Sequence, residues 1–383
     1  MTNRLYYDQT YLTNFTATVT AVSSREGTVR VALSQSAFYP TSGGQPYDTG
    51  TLTAGEKVLQ VTDVSVDRDG EVWHTVSGML EAGETVQGHI DWERRFDHMQ
   101  QHGGEHMLAG AVWTLYGGTT IGLHLGENES TIDVTMPDGS TRFTPEMIAA
   151  LENDVNTHIW QDAPVRCFFP TEEELAALPL RKPPTVKEHI RIVAFGDFEM
   201  VACGGTHPST AGQIGLLKIL SVTPSKGKAR VAFVCGRRAF DHLARCFDTA
   251  QACNRQLSCL TEDLPRQVAA LKEKTVELEK ANRVFLSQHY LRRLEDENGV
   301  LTLEDGDPQA LQEAVSHYIR LPGRVALTCA GSRLVFACSA DVDRDMSMLI
   351  RSVARGGGRK DMASGSGDAE AVRKAAALLQ EQA

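Results

Sequence analysis

Arg94-Arg-Phe-Asp-His-Met-Gln-Gln-His-Gly-Gly-Glu-His106 decides how this chain is read. Around Asp91 the apolar period lengthens, and Phe96, Met99, His102, Gly103, His106, Leu108, Ala109, Val112 and Leu115 predict the first long helix, with one buried side. On that helix His102 and His106, four residues apart, project from one face at chelating distance. Gly103 and Gly104 each cost about 1 kcal/mol relative to alanine inside a helix, so something here needs the space a side chain would fill. An H-x-x-x-H pair alone recurs by coincidence. Its weight comes from Ala202-Cys-Gly-Gly-Thr-His207, where Cys203 and His207 flank a glycine turn and supply the thiolate and imidazole that zinc accepts in tetrahedral geometry. The four residues predict a zinc site; the competing reading is a buried thiol and solvent-facing histidines. The helix also spells H-x-x-E-H, the inverted zinc-peptidase signature with Glu105 as general base. Such an enzyme would take a downstream carboxylate as third ligand and leave Cys203 and His207 without a use.

N-terminal to the helix, Asn14 to Gly88 alternates apolar and polar residues in runs such as Thr16–Val22, Thr28–Leu33, Val58–Val66 and Glu71–Val76. That predicts a small antiparallel β domain, barrel-like or sandwich-like. One loop interrupts it, Phe38-Tyr-Pro-Thr-Ser-Gly-Gly-Gln-Pro-Tyr-Asp-Thr-Gly50, whose adjacent glycines permit either a plain tight turn or close approach to a ligand or another segment. C-terminal to the helix, strands are expected at Ser130–Thr135 and Val165–Phe169, around a helix Pro145–Gln161 that follows the cap-like Thr144. Strand pairs are expected at Ile190–Val193 with Phe198–Val201, and at Ile214–Val222 with Ala229–Cys235 across the basic turn Pro224-Ser-Lys-Gly-Lys228. From Ala239 to Leu294 glycine and proline nearly vanish, which predicts a helical arm or hairpin, bent or capped near Pro265. Its apolar spacing is not a clean heptad throughout, favouring a paired arm over an extended coiled coil. Strands and helices alternate from Gly299 onward. The fold class is therefore α+β, with a small β-barrel-like domain (1–90), an α+β zinc-binding domain (91–238), a helical arm (239–294) and a C-terminal α/β domain (295–383).

At 383 residues, two or three units are the natural expectation, and 42% apolar with 23% charged residues is the balance of a globular protein. No run of 18 apolar residues and no signal-like N-terminus occur, so a cytoplasmic protein without a membrane partner is expected. The eight cysteines form no C-x-x-C pair, which predicts reduced and mostly buried thiols. A net charge of −11 argues against a nonspecific nucleic-acid binder. Arg191, Lys218, Lys226, Lys228, Arg230, Arg237 and Arg238 nevertheless cluster in one stretch, as a local basic strip or an ordinary solvated face.

The loop 38–50, the segment 94–106 and Cys203-Gly-Gly-Thr-His207, in that order, resemble the editing domain of alanyl-tRNA synthetase and its free-standing AlaX relatives. The arm and Gly356-Gly-Gly-Arg-Lys-Asp-Met-Ala363 look like that synthetase's C-terminal region. With no class II aminoacylation core ahead of the β domain, the resemblance implies the long free-standing form. Its activity would be ATP-independent ester hydrolysis of alanine tRNA mischarged with serine or glycine, with Zn2+ on His102, His106, Cys203 and His207. It further implies a pocket drawn from Gly43, Gly44, Gln45, Gly103, His124, Gly204, Gly205 and Thr206. His124, in the glycine-flanked Ile121–Gly126, reads equally as pocket lining or surface loop. tRNA contact is expected at Arg191, Lys226, Lys228, Arg230, Gly357, Arg359 and Lys360, and a homodimer through the C-terminal region. Four protein ligands close a zinc shell, which favours positioning of substrate over water activation unless one ligand exchanges. The alternative function is a noncatalytic tRNA-binding or dimerising protein with a structural zinc. One departure stands out: the family commonly has threonine or serine where this chain has Gly103. Either Thr206 or Gln45 replaces that hydroxyl contact, or selectivity against Ala-tRNA relaxes by about 0.5–1.5 kcal/mol.

Overall fold

Phe15, Ala17 and Val19 are buried while their neighbours face solvent, and this alternation sets the inside of a barrel. In the computed structural model, which describes residues 1–25 and 27–381, the barrel strands are β1 (Asn14–Arg25), β2 (Thr28–Leu33), β3 (Gly50–Ala54), β4 (Lys57–Val66), β5 (Val72–Val76) and β6 (Thr85–Ile90). They close in the order β1-β2-β5-β4-β3-β6, all neighbours antiparallel. The burial of β6 alternates in the same way, with Val86, Gly88 and Ile90 inside, and β3 buries Leu52 and Ala54. The two strands matter because β3 pairs with β6 and β6 with β1, which removes the last free edge. Val31, Leu33, Leu52, Val64 and Val86 fill the interior.

The helix α1 (Trp92–Tyr116) starts where Asp91 accepts a hydrogen bond from the Arg94 amide at 3.2 Å, and stops at Gly117, whose φ of 65° is the left-handed cap. Every residue from His98 to Val112 is buried, so α1 is a central helix rather than the one-sided helix expected. Its polar residues must therefore find partners. Gln101 brackets Cys235, giving Nε2–H to its carbonyl (3.0 Å) and accepting from its amide (2.9 Å). Arg95 and Asp48 form a fully buried pair, and Arg95 also donates to the carbonyls of Ala37 (2.6 Å) and Thr10 (2.8 Å). The Arg95–Asp48 pair fixes α1 against the barrel loop.

Around α1 lie β7 (Thr119–Leu125), β8 (Ser130–Thr135), α2 (Pro145–Trp160, capped by Thr144), β9 (Val165–Phe168), β10 (Ile192–Phe195), β11 (Glu199–Ala202), β12 (Leu217–Ser225) and β13 (Lys228–Cys235). They form an antiparallel sheet of order β12-β13-β8-β7 and a second of order β9-β10-β11. Strand β12 begins three residues later than Ile214 because Ala211–Ile214 coils into a 3-10 turn. Residues 178–191 form neither helix nor strand, as Pro179, Pro183 and Pro184 dictate.

The chain divides into two compact units, Met1–Thr249 and Ala250–Ala383. The expected arm is two helices, α3 (Gly236–Leu257) and α4 (Leu264–Asp296), interrupted at residues 258–263, with Pro265 in the first turn of α4. In the second unit, β14 (Val300–Leu303), α5 (Pro308–Tyr318), β15 (Val325–Ala330), β16 (Arg333–Cys338), α6 (Met346–Val353), β17 (Arg355–Gly358), β18 (Met362–Ser366) and α7 (Ala369–Glu381) follow. The sheet order is β14-β15-β16-β18-β17. Alternate residues send Val335 and Ala337 to one core and Leu334, Phe336 and Cys338 to the other, so helices cover both faces. The glycine-rich stretch from Gly356 is an edge hairpin of this sheet: a Cβ at Gly356 would lie 2.7 Å from the Gly365 Cα.

Among the described residues no helix is long and apolar enough to cross a membrane.

Candidate metal centre and pocket

Helix α1 presents His102 and His106 one turn apart, with rings 5.0 Å apart and 13° from parallel. Cys203 follows directly on β11, and His207 comes four residues later in the loop. The loop is held from behind by Arg191, which is 4% exposed and donates to the carbonyls of Cys203 (3.1 Å), Gly205 (2.8 Å) and Tyr7 (3.2 Å). One ligand atom from each of His102, His106, Cys203 and His207 lies within 4.8 Å of the others. The Cys203 Sγ is 3.4 Å from His102 Nε2 and 3.3 Å from His207 Nε2. Tetrahedral bonds to nitrogen and sulfur of about 2.0–2.3 Å would set ligand atoms about 3.3–3.6 Å apart, so these spacings suit one cation.

Both ring nitrogens of His106 are buried without a partner, which a protein core does not tolerate cheaply. Burial drives His102 down to about 3 and His106 and His207 well below the usual histidine range, so the imidazoles stay neutral, the form that coordinates. Burial pushes the Cys203 thiol up to about 12; a cation at the cluster is what would make it a thiolate. The residues present therefore fit a metal ion.

Gln45 explains the glycine pair in the barrel loop. Its Oε1 lies 2.8 Å from His102 Nδ1 and accepts from the Thr206 amide at 3.1 Å, and its Nε2 donates to Thr206 Oγ1 at 2.8 Å. With Nδ1–H donated to Gln45, His102 turns the Nε2 lone pair to the cluster. Gly44 allows this approach: its φ is +87° and a Cβ there would lie 2.2 Å from the Leu123 carbonyl oxygen. Gly44 thus serves contact with another chain segment, whereas an added Cβ at Gly43 would meet nothing within 4 Å.

The cluster opens into a cavity of about 520 Å³. Gly43, Gly204, Tyr7, Glu105, Leu123 and the segment 181–191 contribute to its wall. Gln45 and Thr206 are 0% exposed, and Gly205 abuts His102, so these three support the ligands from behind. His124 alternates with Leu123 and Leu125 along β7, faces solvent and stands outside the cavity wall. Gly103 is also outside: 100° of helix rotation turns it from His102 towards Ile214 and Pro208, whose atoms would lie 3.0 and 3.4 Å from an added Cβ. Gly104 makes room for Cys235, whose Sγ would lie 2.1 Å away. The space these glycines free is filled by protein.

Arg191, expected at a tRNA surface, is the buried clamp just described. Lys226 is exposed at a hairpin tip and Lys228 is half-buried, while Arg230 pairs with Asp133 at 2.7 Å. In the second unit Arg359 pairs with Asp361 (3.1 Å), Lys360 pairs with Asp343 (2.7 Å), and Gly357 is half-buried in β17.

Glu105 enters the cavity because i and i+3 share a helix face with His102. It is 7% exposed, 3.6 Å from His106 Nδ1, and pushed up to about 7 by burial, against the pull of Arg181 and Lys182. Glu199, by contrast, is neutralised by Arg181 at 2.9 Å. Glu105, Arg181 and Lys182 were not among the expected pocket residues; the i,i+3 spacing in the histidine motif could have flagged the first.

Two family models match the chain: tRNA synthetases class II (A) over residues 2–94, and the threonyl and alanyl tRNA synthetase second additional domain over residues 190–232. The alanyl-tRNA editing protein AlaX-L of Pyrococcus horikoshii is 29% identical, covering 97% of this chain and 96% of its own. The alanyl-tRNA editing protein Aarsd1 of Mus musculus is 32% identical over 73% of this chain and 68% of its own length. The alanine–tRNA ligase of Pyrococcus abyssi is 30% identical over 95% of this chain, which spans 42% of that ligase.

Proposed function

Because the chain belongs to the alanyl-tRNA editing protein family, we propose that it hydrolyses the aminoacyl ester of alanine tRNA mischarged with serine or glycine, with Zn2+ on His102, His106, Cys203 and His207. The observation that carries this reading is the juxtaposition of the four-ligand cluster with Glu105 in one cavity. Three imidazole nitrogens and a thiolate form a borderline-soft donor set that suits zinc. When bound, the ion supplies positive charge that polarises or orients the ester end of the substrate.

The chain's own groups then have distinct tasks. Gln45 holds the His102 ring, and Arg191 holds the Cys203–Gly205 backbone. Glu105 is the buried carboxylate of the wall, with no Arg or Lys bonded to it, so it takes a proton from a water placed against the ester carbonyl and returns it to the departing ribose oxygen. A carboxyl raised towards neutrality by burial suits that exchange. Selectivity does not fall to residue 103, which packs on Ile214. The test is deacylation of Ser-, Gly- and Ala-tRNA with and without a chelator. Release of serine or glycine that the chelator abolishes supports the reading. Tight tRNA binding with no turnover on any ester would support the noncatalytic alternative, which the closed four-ligand shell favours.

Homodimerisation is a second part of the proposal. On α4, Leu264, Val268, Leu271, Leu278 and Phe285 follow a 4-3-7-7 spacing, with Thr275 and Asn282 at the polar seam positions, and Val268, Leu271, Leu278 and Phe285 are 48–67% exposed. In a parallel pair Lys274 of one copy would face Glu279 of the other. Sedimentation of Leu271→Lys with Leu278→Lys as monomer, against a dimeric parent, is the expected result.

A further inference from the structure

Residues 181–191 contribute to the cavity wall as a strap fastened at both ends by buried arginine side chains. At one end Arg181, 6% exposed at its side chain, shares its Nε–H between the two Glu199 carboxylate oxygens at 2.9 Å and donates from Nη1 to Thr120 Oγ1 at 3.3 Å. At the other end Arg191 is spent on three backbone carbonyls. Between them Pro183 and Pro184 fix two φ angles, and a residue preceding proline is held extended, so the backbone at Lys182 is stiffened on its C-terminal side.

The basic side chains of this wall are not equivalent. Arg4 donates to the Gly70 carbonyl at 2.9 Å and to the Tyr7 hydroxyl at 3.4 Å. Arg181 and Arg191 are engaged as above. Lys182 is exposed and has no hydrogen bond or ion pair among the described residues, yet it lines the cavity and its field reaches Glu105, His106 and Glu199. An unpaired lysine on the wall of a cavity, in a chain of net charge −11, is placed to meet an anionic ligand.

We infer that Lys182 binds the terminal phosphodiester of the tRNA acceptor strand while the ester lies at the metal cluster. This rests on the proposed reading of the cavity. With the ester at the cavity floor, the phosphate of the terminal nucleotide lies one ribose further out, towards the mouth, where the strap carries its cation. A flexible lysine stem suits a single rotating phosphate contact better than the two fixed arginine forks, which are already committed.

The experiment compares wild type, Lys182→Met and Lys182→Arg on Ser-tRNA and on seryl-adenosine, the same ester without a phosphate, as a function of salt. The preference for Ser-tRNA over seryl-adenosine, as a ratio of kcat/KM, should fall about tenfold in Lys182→Met through KM, and recover in Lys182→Arg. The slope of log kcat/KM for Ser-tRNA against log salt should flatten by about 0.7, one phosphate contact on a single strand. An unchanged ratio and slope overturn the inference. So does an equal loss on both substrates with a displaced pH profile, which would mean that Lys182 acts through Glu105. Failure of the wild type to hydrolyse either ester overturns the proposed function itself, and this inference with it.

Discussion

Replacing Gln45 with methionine tests how the barrel loop controls the metal cluster. The side chain keeps its volume, but its oxygen no longer accepts from His102 Nδ1 and the Thr206 amide, and its amide no longer donates to Thr206 Oγ1. Gln45 is 0% exposed, so water does not replace the lost partners. Leaving two donors unsatisfied costs about 1–3 kcal/mol each, which predicts a destabilisation of roughly 2–4 kcal/mol once relaxation is allowed. Freeing the His102 ring should weaken metal binding by about 10–100-fold, the usual effect of losing an outer partner of a ligating histidine. Competition of Zn2+ between the protein and a chromophoric chelator reads the affinity, and urea unfolding with and without the ion reads the stability. An affinity within about threefold of the parent would refute the claim that Gln45 sets the tautomer and aim of His102.

Glu105→Gln should keep the metal, measured by elemental analysis, and lower kcat for serine release by about 10²–10⁴-fold. The parent's activity should fall as pH drops and Glu105 gains its proton, at or below about 7 because a bound cation pulls the carboxyl down, and the variant should lack this limb. Cys203→Ser should abolish tight Zn2+ binding and serine release together; full activity with no bound ion would sink the metal reading. Asp48→Ala strands Arg95 unpaired in the core and should cost about 3–5 kcal/mol in denaturant unfolding, while a cost under about 1 kcal/mol would mean the pair is not what fixes α1. Burial holds His74 down to about 4, with its ring between Ser36 Oγ (2.7 Å) and the Val31 carbonyl (3.1 Å). A depressed histidine stabilises fully above its unfolded value and loses that contribution as pH falls through the folded one, here up to about 3 kcal/mol between pH 6.5 and 4. His74→Gln should flatten the pH dependence of the melting temperature in that window, and an unchanged slope would remove His74 as its source.

The sequence by itself determined whatever depends on spacing along one element. Alternation set the barrel interior, the period change at Asp91 set α1, and the four-residue and three-residue steps put His102, His106 and Glu105 on one face. The pairing of the two ligand motifs was also legible, because few other roles need both a histidine pair and a Cys–His pair. What neighbours a residue across elements was not. Gly103 and Gly104 announce that space is required, but only the fold shows that Ile214, Pro208 and Cys235 occupy it. Gln45 and Arg191 are polar residues in loops, which local pattern assigns to a pocket or a surface. Burial converts them into the struts of the ligand set, because a buried donor or acceptor must be satisfied by whichever chain segment folds against it. Lys182 is the reverse case. Nothing in its charge pattern separates it from the other basic residues of the chain, and it stands apart because the fold spends Arg181 and Arg191 on buried partners and leaves Lys182, among the described residues, as an unpaired lysine on the cavity wall.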